Sequence, residues 1–193
     1  MPFLVSKSYE QRRLRLLADR IQGKNILDIG YAQHPNTHLR NVHRVGLDLQ
    51  LPKEQSGYEE EIRGNVFDIE TLLPERKFDT IICGEFIEHI ENPYELLRKL
   101  KNFLSPQGVL LLSTPNPFGF PVVFLELLRN KRFFYTTDHV YYFPPRWMER
   151  MLNRCGYRVT EVAPVGLWLP KGHIPLPSVA LSYQVIYVAL PET

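Results

Sequence analysis

Apolar positions along the chain follow two patterns. Over 8–22, Leu14, Leu16, Leu17 and Ile21 recur at three- and four-residue spacing ahead of Gly23, which predicts a helix closed by a glycine. Short continuous apolar runs come next: NILDIG at 25–30, HRVGLDL at 43–49, a weaker run at 59–66 that stops before Asp68, FDTIIC at 78–83, and a further run at 108–113. Runs of this length ending at glycine or an acidic residue predict strands buried on both faces.

Helical segments fit between these strands. Residues 38–42 have room for only a short helix, 52–57 form a polar loop, and 69–73 suit a single helical turn. Pro93 stands at a helix N1 position, and the helix it opens ends at 105–108. Pro115, Pro117 and Pro121 then break the pattern ahead of an aromatic segment, with a helix expected over 120–129 and another over 144–155, stopped by Gly156. Alternating runs at 157–162 and 183–190 are expected to close the sheet as an antiparallel pair, and 164–178, with its four prolines, reads as an ordered loop. Strands alternating with helices predict an α/β fold: a doubly wound, mostly parallel seven-stranded sheet in a single domain. Its expected parts are an N-terminal helix at 1–23, a nucleotide-binding half at 24–116, an aromatic-rich cover at 117–143, and a C-terminal helix with closing strands at 144–193.

Composition narrows the function. The chain has 193 residues, 44% hydrophobic and 23% charged, enough for one sizeable core. Its formal net charge of +2 gives no global field directed at DNA. Lys7, Arg12, Arg13, Arg15 and Arg20 do make the first helix basic, so RNA stays as a secondary partner class. Cys83 and Cys155 are the only cysteines, which fits a reducing, cytoplasmic compartment. No apolar run reaches the ~18 residues that a membrane span needs, and the first residues lack a basic segment ahead of an apolar core, so a chain without span or leader is expected.

The candidate chemistry lies at strand ends. The turn after Gly30 is a place for an anionic group, Asp48 can accept hydrogen bonds from a ribose diol, and Asp68 with Ile69 can meet an adenine, although a helix cap is the default reading of Asp68 alone. After the 78–83 strand, Glu85, Glu88 and His89 are spaced by three and four residues, which would put them on one helical face as a cation site or an acid/base site. The plainer alternative has them capping the helix. Phe133, Phe134, Tyr135, Tyr141, Tyr142 and Trp147 either line an acceptor pocket or pack in the core.

In order, NILDIG, VGLDL, GNVFDI, FDTIICGEFIEHIENP and GVLLLSTPN resemble the class I S-adenosylmethionine-dependent methyltransferases over roughly residues 20–160. The resemblance implies a Rossmann-like methyltransferase fold, S-adenosylmethionine as cofactor held by Asp28, Gly30, Asp48, Asp68 and Cys83, and methyl transfer to an oxygen of a small-molecule acceptor. Where the family's first motif continues with two more glycines, this chain has Ala32 and His34, and Pro35 is expected to push His34 toward the methionine end of the cofactor. The pattern E-x-x-E-H is similar to that of the ubiquinone-pathway O-methyltransferases and the small-RNA 2′-O-methyltransferases. That likeness implies Glu85, Glu88, His89 and the later His139 as ligands for Mg²⁺ or Mn²⁺, with His89, Glu85 and His139 activating the acceptor. It also implies that 120–128 can touch membrane or a lipid-like substrate. Two rivals remain: a catalytically silent member that serves as a binding module, and an RNA methyltransferase.

Overall fold

The computed structural model describes residues 7–128, 139–169 and 172–192. Seven strands form one sheet in the order β3-β2-β1-β4-β5-β9-β6. They are β1 (Asn25–Ile29), β2 (His43–Asp48), β3 (Glu60–Arg63), β4 (Phe78–Gly84), β5 (Leu104–Pro115), β6 (Tyr157–Pro164) and β9 (Gln184–Pro191). The first five pair in parallel, and β9 runs antiparallel to both β5 and β6, as the closing pair predicted. The order reverses between β1 and β4, the place where an open α/β sheet leaves a crevice at its carboxyl ends.

Alternation along the strands sends side chains into two cores. Leu27, Ile29, Ile81, Leu110 and Leu112 pack on one face with Leu96, Leu97 and Leu100 of α3 (Pro93–Lys101) and Met148, Met151 and Leu152 of α5 (Pro145–Arg154). Asn92 caps α3 by accepting the Glu95 N–H, and Pro93 opens it. On the other face Ile26, Ile82 and Leu111 pack with Tyr9 and Leu17 of α1 (Lys7–Ala18) and with Tyr31, Leu39 and Tyr58. The short α2 (Ile69–Leu72) precedes β4, and α4 (Phe120–Leu127) follows β5.

Several boundaries differ from expectation. No helix forms over 38–42, or anywhere between β1 and β2. Asn36 Oδ1 accepts the His38 N–H at 3.0 Å, a local turn that competes with a helix, and Pro35 stands just before it. The first helix stops at Ala18 rather than at residue 22, and Gly23, at φ +66°, turns the chain into β1 beside Asp79. Strand β5 starts at Leu104, because Phe78 pairs with Leu104 and Thr80 with Val109, so that 105–108 bulge out of the ladder. The supposed loop at 164–178 contains a two-stranded hairpin, β7 (Leu167–Leu169) with β8 (Gly172–Ile174). Trp168 anchors it in the core at 7% exposure.

Three of the basic residues in and just after α1 make contacts within the chain, while Lys7 and Arg15 stay exposed. Arg12 Nε donates to the Val165 carbonyl at 2.6 Å, Arg13 is buried, and Arg20 pairs with Glu161 at 2.7 Å. Among the described residues no helix is long and apolar enough to cross a membrane.

Candidate active site

The first group of candidates lies at the carboxyl ends of β1 and β2. Gly30 has φ +76°, a conformation that suits glycine, and its N–H donates to the Leu47 carbonyl at 2.9 Å. A Cβ there would run into the Phe86 ring, so the position accepts only glycine without rearrangement. Asp48 accepts the Ala32 N–H at 3.0 Å and the Gln50 N–H at 3.1 Å, while remaining partly exposed beside the exposed Leu49. Asp28 is buried and accepts the Tyr58 hydroxyl at 2.5 Å. Burial pushes its carboxyl up to about 7, against the pull of the Tyr58 hydrogen bond and the Arg13 charge. Asp68 is exposed after β3, precedes α2 and makes no side-chain cap bond. Cys83 is fully buried, its thiol pushed up by the same desolvation. His34 lies exposed in the turn closed by its own N–H to the Tyr31 carbonyl at 3.1 Å.

The second group follows β4. Glu85, Glu88 and His89 do not share a helical face. Glu85 sits at φ +53°, strained for a side chain that is not glycine, and only Ile87–His89 make a helical turn, of 3₁₀ type. Glu85 is bound by Gln184, whose Nε2 donates at 2.6 Å, and its N–H donates to the Ser113 carbonyl at 2.9 Å. Its carboxyl is pushed up to about 7 by desolvation, against the nearby Arg13 guanidinium.

Glu88 is 1% exposed, and among the described residues neither carboxylate oxygen has a hydrogen-bond partner. Desolvation first, and the charge of Glu85 second, raise its carboxyl well above the usual range. The Glu88 carbonyl accepts the N–H groups of Val140 at 2.9 Å and Tyr141 at 3.1 Å, and the Tyr141 hydroxyl donates to the Glu91 carbonyl at 3.2 Å. These bonds dock the later segment against the turn. They bring His139 to His89, ring centroids 4.7 Å apart, and ligand atoms of Glu88, His89 and His139 all lie within 4.8 Å of one another. Glu85 is not part of that cluster. A buried carboxylate without partners, beside two imidazoles, is costly unless a cation or proton joins it. The residues present therefore fit a divalent cation with O and N ligands.

Four contributors carried no sequence signal. Arg13 is 3% exposed, bonds Ser113 Oγ at 3.0 Å and pairs with Glu10, so it sets a fixed cation beneath the strand ends. Gln184 reaches Glu85 from β9, 99 residues away in sequence. Tyr58 and Asn36 meet through the Asn36 N–H, which donates to the Tyr58 hydroxyl at 3.1 Å. Of the aromatic candidates, Tyr141, Tyr142 and Trp147 are exposed, at 41%, 40% and 63%, and so do not belong to the core. Phe133, Phe134 and Tyr135 lie outside the described residues.

Comparison with known proteins agrees with this architecture. A methyltransferase-domain family model matches residues 5–162. The ubiquinone biosynthesis O-methyltransferase of Marinobacter nauticus is 26% identical over 169 residues, covering 78% of this chain and 71% of that protein. Its counterpart in Psychrobacter arcticus is 25% identical, over 74% of this chain and 62% of its own length. Among solved structures, an S-adenosylmethionine-dependent methyltransferase of Thermotoga maritima, described as a possible histamine N-methyltransferase, superposes with a TM-score of 0.73 at 15% identity, covering 97% of this chain and 91% of that one. Another, from Archaeoglobus fulgidus, gives 0.69 at 16% identity, covering 93% and 91%. With the seven-stranded sheet, its reversal between β1 and β4, and the family match over most of its length, the chain belongs to the class I S-adenosylmethionine-dependent methyltransferases.

Proposed function

We propose that this protein moves a methyl group from S-adenosylmethionine to an oxygen of a small-molecule acceptor, with Glu88, His89 and His139 as the acceptor site and as ligands of Mg²⁺ or Mn²⁺. The observation that carries the reading is the buried carboxylate of Glu88, without a hydrogen-bond partner among the described residues, clustered with two histidines just after β4. The names of the ubiquinone-pathway relatives support an O–H acceptor.

When bound, the cofactor supplies an electrophilic sulfonium methyl, and a divalent cation favours the ionised form of the acceptor oxygen. Asp48 and Gly30 hold the nucleoside side, with Asp68 and Leu49 at its edge. With the cation held by Glu88, His89 and His139, the acceptor O–H would give up its proton to solvent at the exposed edge of the site; without a cation, the exposed His89 would take that proton on a ring nitrogen, with His139 and Glu88 orienting the oxygen. The oxygen–methyl bond then forms in line as the sulfur–methyl bond breaks. Glu85, held by Gln184 beside Arg13, keeps the β4 turn in its strained conformation.

The test is a thermal-shift and calorimetric titration with S-adenosylhomocysteine, followed by methyl transfer to catechol-type acceptors. Binding by the wild-type chain should stabilise the fold by mass action, by about 2.7 kcal/mol at a hundredfold excess over Kd, and raise Tm accordingly. An unchanged midpoint at millimolar ligand would remove the enzyme reading.

A lipid-facing role belongs to the same proposal. Phe118, Phe120, Phe124, Leu127 and Leu128 are between 50% and 77% exposed on and around α4, an apolar surface that soluble chains rarely show to water. The chain should float with phosphatidylcholine vesicles, and the triple change Phe120→Ser, Phe124→Ser, Leu127→Ser should abolish flotation. Wild-type chain left at the bottom of the gradient would dismiss membrane contact.

A further inference from the structure

Two parallel strands need a crossover of a dozen or so residues, usually a helix, which satisfies its own backbone and turns its free N–H groups toward the ligand. Here residues 30–42 cross from β1 to β2 without one, and so do 49–59 from β2 to β3. The backbone groups of the first crossover must therefore find partners elsewhere. Ala32 N–H goes to Asp48, and Asn36 N–H goes to the Tyr58 hydroxyl. Asn36 Nδ2 donates to the Leu14 carbonyl of α1 at 2.9 Å.

Tyr58 is the hub of this arrangement. It comes from the second crossover and is 9% exposed. Its hydroxyl accepts from Asn36 and donates to Asp28, and its ring stacks on Tyr31 with centroids 4.8 Å apart. The Arg44 guanidinium lies 5.6 Å from its ring centre. Tyr31 in turn lies against Gly46, where a Cβ would collide with its ring. One phenol thus ties β1, the helix-free crossover and the β2–β3 connection together.

We propose that Tyr58 is a positioning residue for the cofactor: through Asp28 and the Asn36 amide it holds the Gly30–Ala32 turn and Asp48 at binding spacing, in place of the missing helix. This rests on the cofactor-binding reading above. Tyr58 need not touch the ligand. It acts by fixing the carboxylate of Asp28 and the loop that does.

The charged and titratable groups facing Asp28 are Tyr58, Arg13 of α1, Asp48 of β2, Tyr31 of the crossover and Cys83 of β4. The Tyr58 hydrogen bond favours the Asp28 anion, so its loss pushes the carboxyl further up. An anionic Asp28 suits the ammonium group of the cofactor. Affinity should accordingly be highest above pH 7 and decline as pH falls.

The experiment is calorimetry of S-adenosylhomocysteine from pH 5.5 to 8.5 on wild type, Tyr58→Phe and Asp28→Asn, with circular dichroism to check folding. Tyr58→Phe keeps the stacked ring. It should bind about tenfold more weakly at pH 7, the equivalent of roughly 1.4 kcal/mol, with the decline moved to higher pH. Asp28→Asn should flatten the profile. If Tyr58→Phe binds within twofold of wild type with an unmoved profile, the proposal is wrong while the cofactor reading stands. Wild type that binds nothing overturns both. Should Tyr58→Phe fail to fold, a wild-type decline abolished by Asp28→Asn upholds the pairing, and a flat wild-type profile overturns it.

Discussion

Glu88→Gln should lower Mn²⁺ affinity and methyl transfer by roughly 100-fold or more, since even changes to outer partners of a ligand cost up to that much. The amide keeps the length and shape of the side chain and removes its ability to carry negative charge. Glu88→Met should act oppositely on stability. It replaces a buried carboxylate that has no hydrogen-bond partner among the described residues with an apolar chain of similar length, and so removes a desolvation cost of about 1–3 kcal/mol. Tm should rise by about 2–4 °C per kcal/mol while activity is lost, the trade-off expected where a site carries a group the fold does not need. If Glu88 merely capped the turn, both substitutions would lower Tm and leave Mn²⁺ calorimetry flat in wild type and variants alike.

Arg13→Leu should be the most destabilising single change. The guanidinium is 3% exposed, paired with Glu10, bonded to Ser113 and close to the charges of Glu85 and Asp28. Removing it leaves the buried Asp28 and the partly buried Glu10 and Glu85 without their cation, a loss of about 3–5 kcal/mol. For a chain of this length that is a fall in Tm of roughly 10 °C or more. Arg13→Lys keeps the charge without the planar fork and should recover only part of the loss. A melting curve for Arg13→Leu within 2–3 °C of wild type, roughly the effect of 1 kcal/mol, would mean that solvent reaches the group and that the strand ends do not depend on it.

Both variants act where the strands end, and the sequence was legible there to differing depth. Local rules located the strands well. NILDI, HRVGLD and FDTIICG are apolar runs with no helical period, and they became β1, β2 and β4. Pro93 before α3 and Gly156 after α5 marked helix ends because their conformational limits are local. The spacing of Glu85, Glu88 and His89 misled, because a three-and-four offset implies a shared face only inside a helix. The chain instead leaves β4 through a residue with positive φ. The hairpin at 167–174 was hidden by its flanking prolines, and the absence of a helix from the first crossover had no marker beyond Pro35, whereas the second crossover was legible as the polar loop at 52–57.

What the sequence by itself determined is therefore most of the strand runs, a mostly parallel sheet closed by an antiparallel pair, and the residue types delivered to the carboxyl edge: Gly30, Asp48, Glu88 and His89. Those follow from hydrophobic pattern and from the stereochemistry of glycine and proline, which act within a few residues. The tertiary structure alone decided who meets whom. It set Glu85 against Gln184, brought His139 to His89 through the Glu88 carbonyl, sealed Arg13 beneath Gly84, and put Tyr58 between Asp28 and Asn36. These contacts join residues 22 to 99 apart in the chain, and their strength depends on exclusion from water, which no stretch of sequence possesses until the sheet and its covers have closed over it.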